Sequence, residues 1–348
     1  MRHTFSLLIV LLAAGCSKEQ PAAGTLVTAT VTAQAETTPV GTADDAADDP
    51  AIWRHPIDPA KSLIIGTDKR AGVHVYDMAG KAIGFTESPR LNNVDLRSNV
   101  TVNGNDTVLV AASDRRDEAN AAIALFTLDT NAQKLMPLAS LPVGQGEAYG
   151  MCLWQRKADG QLYAFLVLKD GRIDQVELDV FGTTATGKVV RSMKLKTQSE
   201  GCVVDDRTGL LYVTEEDVGL WRFDADPSAS VKATELARAD GKQLVADAEG
   251  IAIMPMGSDT GYLIVSSQGD NAYAVYDLKS GGYRARFRIG DGAIDGVQET
   301  DGLELMVGDF GPSYPGGLFV TQDGDNSPET QNFKFTAWAD VMKAMKLD

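Results

Sequence analysis

The scarcest chemically useful residue in this sequence is histidine. Among 348 residues there are three histidines, His3, His55 and His74, and the first lies in an N-terminal segment that reads as a targeting signal. Only two histidines then remain, and this small number argues against a zinc hydrolase, a histidine phosphatase and a Ser-His-Asp triad, because each of these depends on imidazole groups. We expect His55 and His74 to be surface or packing residues, so the chemistry must rest on other side chains.

Basic charge is also in short supply. The sequence has 32 lysines and arginines against 48 aspartates and glutamates, which gives a formal net charge of −16. Because nucleic-acid phosphates are attracted to basic surfaces, this balance argues against a nucleic-acid-binding protein. It is typical of a soluble exported protein, and it also fits a protein whose acidic groups are neutralised in part by bound cations.

The long apolar run in this sequence lies at its N-terminus. The run over 5–14 is too short to span a bilayer, and it leads into Leu12-Ala-Ala-Gly-Cys16, which resembles a bacterial lipobox. An ordinary secretory signal with an incidental cysteine is the alternative. The pattern predicts a lipoprotein signal over 1–16, a tether over 17–25 and one folded domain over 26–348. We expect an exported protein that is extracellular or anchored to the bacterial membrane, at the outer membrane or facing the periplasm, through Cys16 alone.

What the sequence does contain is a repeat of about fifty residues. An acidic residue opens a β-like segment six times at this spacing, at Asp49, Asp95, Glu147, Glu200, Glu249 and Asp301. Each segment is followed by a second run rich in β-branched and aromatic residues, with turn-forming residues between the runs. A fixed period of roughly 40 to 50 residues in a β-rich sequence is typical of a propeller with one blade per repeat.

The repeat predicts an all-β fold, a six-bladed β-propeller with four-stranded antiparallel blades around a central channel. We expect Leu26 to Val31 to complete a blade formed mainly by the C-terminal part of the chain, because this pairing removes an open sheet edge. Asp340 to Lys346 is predicted to form a short terminal helix. A closed ring has no need to associate, so a monomer is expected.

Cys152 and Cys202 occupy nearly equivalent places in adjacent repeats, within apolar strand-like runs. A disulfide between them is conceivable. Buried free thiols are the prediction that we favour.

The repeated acidic residues predict a metal site. The innermost strand of each blade faces the channel, so these side chains converge on one axis. Clustered carboxylates cannot all ionise without a counter-charge, and hard oxygen ligands in such number favour Ca²⁺.

The loops that follow the second strands divide by charge. Three supply cations and the last three supply acids and amides: Asp68-Lys69-Arg70, Asp114-Arg115-Arg116, Lys169-Asp170-Gly171, Glu215-Glu216-Asp217, Gln268-Gly269-Asp270-Asn271 and Gln322-Asp323-Gly324-Asp325. A basic arc beside a carboxylate-rich arc suits a polyanionic substrate. Metal ions held by the acids would activate water and attract phosphates, and Lys and Arg would hold the remaining phosphate oxygens. Phosphoryl transfer depends mainly on positioning and charge neutralisation, which agrees with the lack of a nucleophile motif.

The chain resembles the β-propeller phytases, the alkaline Ca²⁺-dependent 3-phytases of bacteria. The resemblance covers about residues 26 to 340, and its markers are Asp45-Ala-Ala-Asp48-Asp49-Pro-Ala-Ile-Trp53, Leu91-Asn-Asn-Val-Asp-Leu-Arg97, Ser199-Glu200-Gly201, Tyr212-Val-Thr-Glu215-Glu216-Asp217, Asp247-Ala-Glu249-Gly250, Ser266-Ser-Gln268-Gly269, Thr300-Asp301-Gly302 and Gly317-Leu-Phe-Val-Thr-Gln-Asp-Gly324. It implies a six-bladed propeller that binds several Ca²⁺ ions and hydrolyses phosphate monoesters of phytate, myo-inositol hexakisphosphate, bound as its calcium complex.

The resemblance also implies roles for individual residues. The implied Ca²⁺ ligands are Glu36, Asp48, Asp49, Tyr149, Glu200, Glu216, Asp247, Glu249, Gln268 and Asp301. The implied catalytic group is Tyr149, Glu200, Glu216, Asp247, Glu249 and Asp301. The implied phosphate contacts are Lys69, Arg115 and Lys169. Asp49 and the Asn93-Val94 segment resemble a stability site rather than a catalytic one.

The chain departs from the family pattern at three points. Asp170 follows Lys169 where a longer acid is common, Asp270 stands where an amide is common, and Arg116 adds a cation beside Arg115. These departures are expected to alter the charge of the cleft without touching the central ligands.

Two other functions fit a propeller. A Ca²⁺-dependent lactonase or esterase would use one axial ion, several amide ligands and often a histidine base, and it would give the basic arc no purpose. A non-enzymatic surface-binding propeller would use Ca²⁺ only to stabilise the fold and would bind its ligand without turnover. A third alternative keeps the phosphatase chemistry but acts on another inositol phosphate or on a nucleotide.

Overall fold

The computed structural model describes residues 26–102 and 104–347. The predicted lipobox at Cys16 and the tether that follows it lie outside the described residues. Within the described part of the chain, no helix is long and apolar enough to cross a membrane.

Two short strands precede the first repeat, β1 (Thr28–Val31) and β2 (Ala35–Glu36). The strands of the first three blades then follow in chain order: β3 (Ala47–Trp53), β4 (Leu63–Asp68), β5 (Gly72–Tyr76) and β6 (Ala82–Glu87); β7 (Leu91–Val102), β8 (Asn105–Asp114), β9 (Asn120–Asp129) and β10 (Lys134–Gln145); β11 (Ala148–Gln155), β12 (Leu162–Leu168), β13 (Arg172–Phe181) and β14 (Thr184–Lys194).

The last three blades and the terminal helix complete the order of elements. They are β15 (Ser199–Asp205), β16 (Leu210–Glu215), β17 (Gly219–Asp224) and β18 (Thr234–Arg238); β19 (Ala248–Met256), β20 (Thr260–Ser267), β21 (Ala272–Asp277) and β22 (Tyr283–Ile289); β23 (Leu303–Val307), β24 (Gly317–Asp323) and β25 (Asn332–Ala337); and helix α1 (Trp338–Met345). The described residues thus form six sheets, each built on four antiparallel strands, and the predicted all-β, six-bladed propeller is confirmed.

The first strand of each blade lies innermost. Strands β3, β7, β11, β15, β19 and β23 each contact the first strand of the next blade, and β23 contacts β3, so they enclose the central channel. The hydrophobic core consists of six clusters, each shared by two neighbouring blades. Because aliphatic and aromatic side chains fill both faces of each sheet, the strands hold the channel residues in fixed positions.

The ring closes in a different way from the predicted one. Strand β1, within the predicted Leu26–Val31 segment, pairs in parallel with β22 as a fifth strand on a blade that already has four. The fourth strand of the last blade is β2, which pairs with β25 through Ala35–Phe335 and Glu36–Lys334. An N-terminal strand does complete the blade formed by the C-terminal part, as predicted. That strand is β2, however, and not the predicted Leu26–Val31 segment. The terminal helix is confirmed as α1 and packs beside β1 and β22.

The prediction of free thiols is wrong. Cys152 on β11 and Cys202 on β15 form a disulfide with a Cα–Cα distance of 5.7 Å. Their equivalent positions on neighbouring inner strands bring the two sulfur atoms together, and this equivalence was visible in the sequence. The bond covalently links the third blade to the fourth, close to the channel.

Removing this link is expected to destabilise the propeller. The two cysteines are 50 residues apart in sequence, and closing a loop of that length is worth about 2–4 kcal/mol. We expect the double substitution Cys152→Ser and Cys202→Ser to lower the free energy of unfolding by that amount, measured by denaturant titration. The oxidised wild type with and without dithiothreitol provides the control. Equal stability of the reduced and oxidised wild type would contradict a stabilising role for the bond.

His55 and His74 serve local packing, as predicted. The Nδ1 atom of His55 accepts hydrogen bonds from the backbone N–H groups of Ile57 and Asp58 at 3.2 and 2.9 Å. His74 packs between Tyr76 and Phe85. Neither residue lines the cavity at the mouth of the channel.

Candidate metal and substrate site

A backbone irregularity at the start of the inner strands aims side chains at the channel axis. In blades one to five, the pairing of the first strand with the second shifts register after Ala47, Leu91, Ala148, Ser199 and Ala248. A β-bulge of this kind leaves extra residues outside the ladder and changes the direction of their side chains. The residue that follows each shift is the member of the repeat that faces the mouth of the channel.

In three repeats, the residue at this structurally equivalent position is not the acidic residue that the sequence analysis selected. The equivalent residues are Asp48, Asn92, Tyr149, Glu200, Glu249 and Asp301, in place of the predicted Asp49, Asp95 and Glu147 in the first three repeats. Asp95 instead lies deeper in the channel, where its carboxylate accepts two hydrogen bonds from Arg97 at 2.9 Å. Glu147 lies just before its strand and pairs with Arg115.

Glycines next to these residues let the inner strands approach closely. A Cβ atom at Gly150 would lie 1.8 Å from the backbone oxygen of Glu200, and one at Gly302 would lie 2.2 Å from Oδ1 of Asp49. Any side chain at these positions would push neighbouring blades apart. The recurring acid–glycine pair is thus a packing requirement that brings one acidic residue against the next.

Three glutamates form the centre of the site. Glu200 and Glu249 come from inner strands, Glu216 follows β16, and each offers a carboxylate oxygen within 4.8 Å of the others. All three side chains are buried. Among the described residues, Oε1 of Glu216 and Oε2 of Glu249 have no hydrogen-bond partner. Buried, unpaired carboxylate oxygens that face one another are the donor set that a calcium ion requires, so these residues fit the predicted ion.

The pKa values of the cluster show how strongly the carboxylates repel one another. Burial raises the pKa of Glu200 and of Glu249, and the other carboxylates raise both further. Burial raises the pKa of Glu216 to about 7 and that of Asp301 to about 7, although Lys69 opposes the shift at Asp301. At neutral pH the cluster therefore needs added positive charge to be fully ionised.

One internal cation supplies part of that charge. The ammonium group of Lys69 lies 2.6 Å from Asp45, 3.1 Å from Asp48 and 3.0 Å from Asp301. Burial opposes its charge, yet these carboxylates together raise the pKa of Lys69 above its usual value. A predicted phosphate contact thus also serves as a counter-charge between the first and last blades.

The other two predicted phosphate contacts share one aromatic ring. The Arg115 guanidinium lies 5.7 Å and the Lys169 ammonium 5.1 Å from the centre of the Tyr149 ring. Cation–π contact holds both cations beside the glutamate cluster. Tyr149 is thereby placed between the basic and the acidic arcs, and burial together with Glu200 raises the pKa of its phenol.

Asp247 and Gln268 complete the acidic side of the mouth. Both line a cavity of about 590 Å³ that Lys69, Tyr149, Glu216, Glu249 and Asp301 also line. The side chain of Gln268 donates a hydrogen bond to Asp301 at 2.8 Å. Burial raises the pKa of Asp247, and nearby Asp217 raises it further.

Two predicted ligands, Asp49 and Glu36, lie away from the glutamate cluster. Asp49 points into the channel, where its Oδ2 accepts a hydrogen bond from the Val94 N–H at 3.0 Å, as expected for a site near Asn93 and Val94. Glu36 lies at the edge of the last blade, with its Oε2 atom 2.5 Å from the buried ammonium of Lys334. The structure brings neither side chain to the glutamate cluster.

The three departures from the family pattern are each paired with an opposite charge. Asp170 pairs with Lys194 at 3.0 Å, Arg116 with Asp114 at 2.5 Å, and Asp270 with Arg286 at 2.5 Å. The residues that line the cavity do not include Asp170, Asp270 or Arg116. Each of these charges has an opposite partner close by, and their expected effect on the charge of the cleft stays a prediction.

Several residues of the site were not predicted. Asn92 is fully buried and donates a hydrogen bond to Glu200 at 2.6 Å, and Gln322 accepts one from the Asp301 N–H at 2.8 Å. Gln198, Asn271 and Glu299 line the cavity. The Asn92-Asn93 pair stands in a repeat position that holds acids elsewhere, and this could have marked Asn92. Asn271 and Gln322 belong to the charged segments already named after the second strands, and Gln322 lies near the end of β24. Gln198 and Glu299 lie in loops and carry no pattern that marks them.

A six-bladed propeller whose channel mouth joins a carboxylate cluster to three cations offers possible ligands for a cation beside possible donors to an anion. The sequence matches the family model described as Phytase over residues 2–348. It is 41% identical over 322 residues to the 3-phytase of Bacillus subtilis (strain 168). The aligned region covers 89% of this chain and 84% of that protein. The chain therefore belongs to the phytase family, and the predictions of a β-propeller phytase and of a phosphoric monoester hydrolase are confirmed.

Proposed function

We propose that this protein is a Ca²⁺-dependent phytase that releases phosphate from myo-inositol hexakisphosphate at the mouth of its channel. The observation that carries the proposal is the glutamate cluster of Glu200, Glu216 and Glu249, whose buried oxygens need a cation, beside basic side chains that can donate hydrogen bonds to an anion. The phytase family and the 3-phytase relative support phytate as the substrate.

The residues of the two arcs divide the work. Lys69, Arg115 and Lys169 would bind and orient phosphate oxygens at the edge of the cavity. Glu200, Glu216, Glu249 and Asp301 would hold Ca²⁺, with Asp247, Gln268, Asp48 and Tyr149 beside them. Bound calcium would supply charge neutralisation at the phosphoryl group and a lower pKa for water. Because the substrate has six phosphates, those outside the cleaved position can contact the basic arc and contribute affinity.

The direct test is phosphate release from calcium phytate at neutral pH, with and without EGTA. We expect release that stops on addition of EGTA and returns when excess calcium is restored, with little release from a simple monophosphate ester. Calcium-dependent release from a nucleotide but not from phytate would support another phosphatase. Phytate binding without turnover, in protein shown to be folded, would support the non-enzymatic binding propeller.

Calcium binding is expected to weaken as the pH falls. The pKa values of Glu216 and Asp301 are about 7 in the calcium-free protein, and each group must lose its proton to bind calcium. From about pH 8 to about pH 6, the apparent affinity should fall by about tenfold for each group, or up to about 100-fold together. Calorimetric titration with CaCl₂ at a series of pH values measures this.

The stability of the calcium-free protein should change with pH in the opposite direction. Because the folded-state pKa values lie above those of unfolded carboxyl groups, the stabilising effect of protonation is present at low pH and is lost as the pH rises through about 7. The melting temperature with EGTA should therefore fall as the pH rises from about 4.5 to about 7 and change little above that, while saturating calcium reduces this fall. Identical pH profiles with and without calcium would contradict the assignment of Glu216 and Asp301 as ligands.

We also propose that the protein is exported and attached to the membrane by lipid at Cys16, with the propeller as a monomer. The support is the lipobox-like sequence Leu12-Ala-Ala-Gly-Cys16. Substitution Cys16→Ala is expected to move the protein from the membrane fraction to the soluble exported fraction, with no effect on phosphate release. Membrane association that survives the substitution would refute the lipid anchor.

A further inference from the structure

Arg286 lies behind the acidic side of the site, on β22, the fourth strand of the fifth blade. It is buried, with a relative exposure of 5%. Its Nη1 atom donates a hydrogen bond to the backbone oxygen of Lys242 at 2.7 Å. Its Nη2 atom donates to both carboxylate oxygens of Asp270 at 2.6 and 2.5 Å, and to Oγ of Ser267 at 3.3 Å. One guanidinium group thus joins two separate loops.

Each of these loops carries a residue of the cavity. The loop over 239–247 ends in Asp247, and the loop over 268–271 begins with Gln268. The loops also touch directly, because the Gln268 N–H donates to the Asp247 oxygen at 3.0 Å and a Cβ at Gly269 would lie 1.8 Å from the Ala246 oxygen. With no room between them, a shift in one loop must displace the other.

Asp270 faces away from the substrate cavity. Gln268, Gly269 and Asn271 line that cavity, whereas Asp270 does not. Its carboxylate is turned back toward Arg286 and accepts a hydrogen bond from Oγ of Ser267 at 2.7 Å, and the Ser267 Oγ in turn accepts one from the Val245 N–H at 2.8 Å. The Asp270–Arg286 ion pair therefore supports both loops from the side opposite the cleft.

We propose that Arg286 is a positioning residue that sets the locations of Asp247 and Gln268 in the calcium-binding cleft. The inference rests on the proposed function, since it assigns these two residues to the calcium side of the site. A guanidinium group can bond two loops at once through its separate N–H groups, whereas a lysine ammonium is a single point charge. Substitution Arg286→Lys therefore keeps the charge and removes the link to one of the loops. Substitution Arg286→Gln also leaves the partly buried Asp270 carboxylate without its partner.

The expected effects separate positioning from simple stability. Loss of a group that orients metal ligands lowers metal affinity or activity by about 10–100-fold. We expect such a loss in calcium affinity and in kcat for Arg286→Gln, and a smaller loss for Arg286→Lys. The KM for phytate should change less than about twofold, because Lys69, Arg115 and Lys169 lie on the other side of the cleft.

The experiment compares both Arg286 variants with Arg284→Gln. Arg284 lies on the same strand, is half-exposed and pairs with Asp277 at 2.8 Å on the outer surface, so its loss should leave activity unchanged. Calcium alone is titrated by calorimetry, kcat and KM are measured at saturating calcium, and hydrogen exchange is followed over 239–247 and 268–271. Faster exchange in both loops, with lowered calcium affinity and kcat, supports the proposal. If Arg286→Gln does not fold, the Arg286→Lys variant decides.

Wild-type calcium affinity and kcat in the folded Arg286 variants, with a change only in melting temperature, would overturn the positioning role. Absence of calcium-dependent phosphate release in the wild type would instead overturn the proposed function. In that case the exchange rates of the two loops still report whether Arg286 holds them, so the two failures are distinguishable.

Discussion

Substitution Glu200→Gln is expected to lower kcat/KM for phytate by about 100- to 1,000-fold while the propeller stays folded. This is the range seen when one preorganised electrostatic contact is removed from an active site. Glu200 lies at the centre of the cluster, in contact with Asn92 and within reach of Glu216 and Glu249. The residue is buried on an inner strand, so no mobile side chain can take its place.

The substitution changes charge with little change in shape. Glutamine can accept the hydrogen bond from Asn92 through its oxygen, but its NH₂ group then turns toward Glu216 and Glu249 and repels a cation there. In the calcium-free protein the loss of one crowded carboxylate relieves repulsion, because the pKa of Glu200 is raised by burial and by its acidic neighbours. We therefore expect the melting temperature with EGTA to rise or stay constant, and the stabilisation by calcium to decrease.

The measurement is initial phosphate release together with melting temperature, each with EGTA and with saturating calcium. Glu235→Gln is the matched control, since Glu235 lies on β18 of the same blade and pairs with Arg238 at the surface. Its removal should have little effect on either quantity. Glu200→Gln protein with the turnover of the wild type would remove Glu200 from the catalytic group.

The sequence was sufficient for the architecture because the repeat is long, regular and local. Glu200, Glu249 and Asp301 each precede a glycine, and the close approach that the structure shows at Gly302 explains why this pair recurs. In the first repeats the acidic residues Asp49 and Asp95 are displaced from the equivalent positions Asp48 and Asn92. A one-residue error in a strand moves a side chain to the opposite face, and bulges at each strand start make the counting uncertain from sequence alone.

The features that the sequence did not give depend on distant parts of the chain. The short strand β2 completes the last blade by pairing with β25, about 300 residues away, and its two residues carry no strand pattern of their own. The Asp270–Arg286 pair joins a loop to strand β22, and local sequence shows only an acid where an amide is common. Loop residues such as Gln198 enter the cavity because the blades position them, which no periodicity reveals.

Substitution Lys69→Met should destabilise the calcium-free protein by about 3–5 kcal/mol, the usual result of removing one partner from a buried ion pair. Lys69 is 7% exposed, and its loss leaves the buried Asp48 and the partly buried Asp301 without their shared cation. Asp45 is exposed and contributes little to this cost. Denaturant titration with EGTA measures the change, and Lys61→Met, which removes a surface partner of Asp58 from the same blade, is the control.

The same substitution should move calcium affinity and substrate affinity in opposite directions. Without the ammonium group, Asp48 and Asp301 attract calcium more strongly, so calcium binding should tighten and should restore much of the lost stability. The phosphate contact is lost at the same time, so the KM for phytate should rise at saturating calcium. A residue that served only as a counter-charge would leave KM unchanged, and one that served only as a phosphate contact would leave calcium affinity and stability unchanged. Either of these results would contradict the dual role that the contacts of Lys69 with the acidic residues and its place in the cavity assign to it.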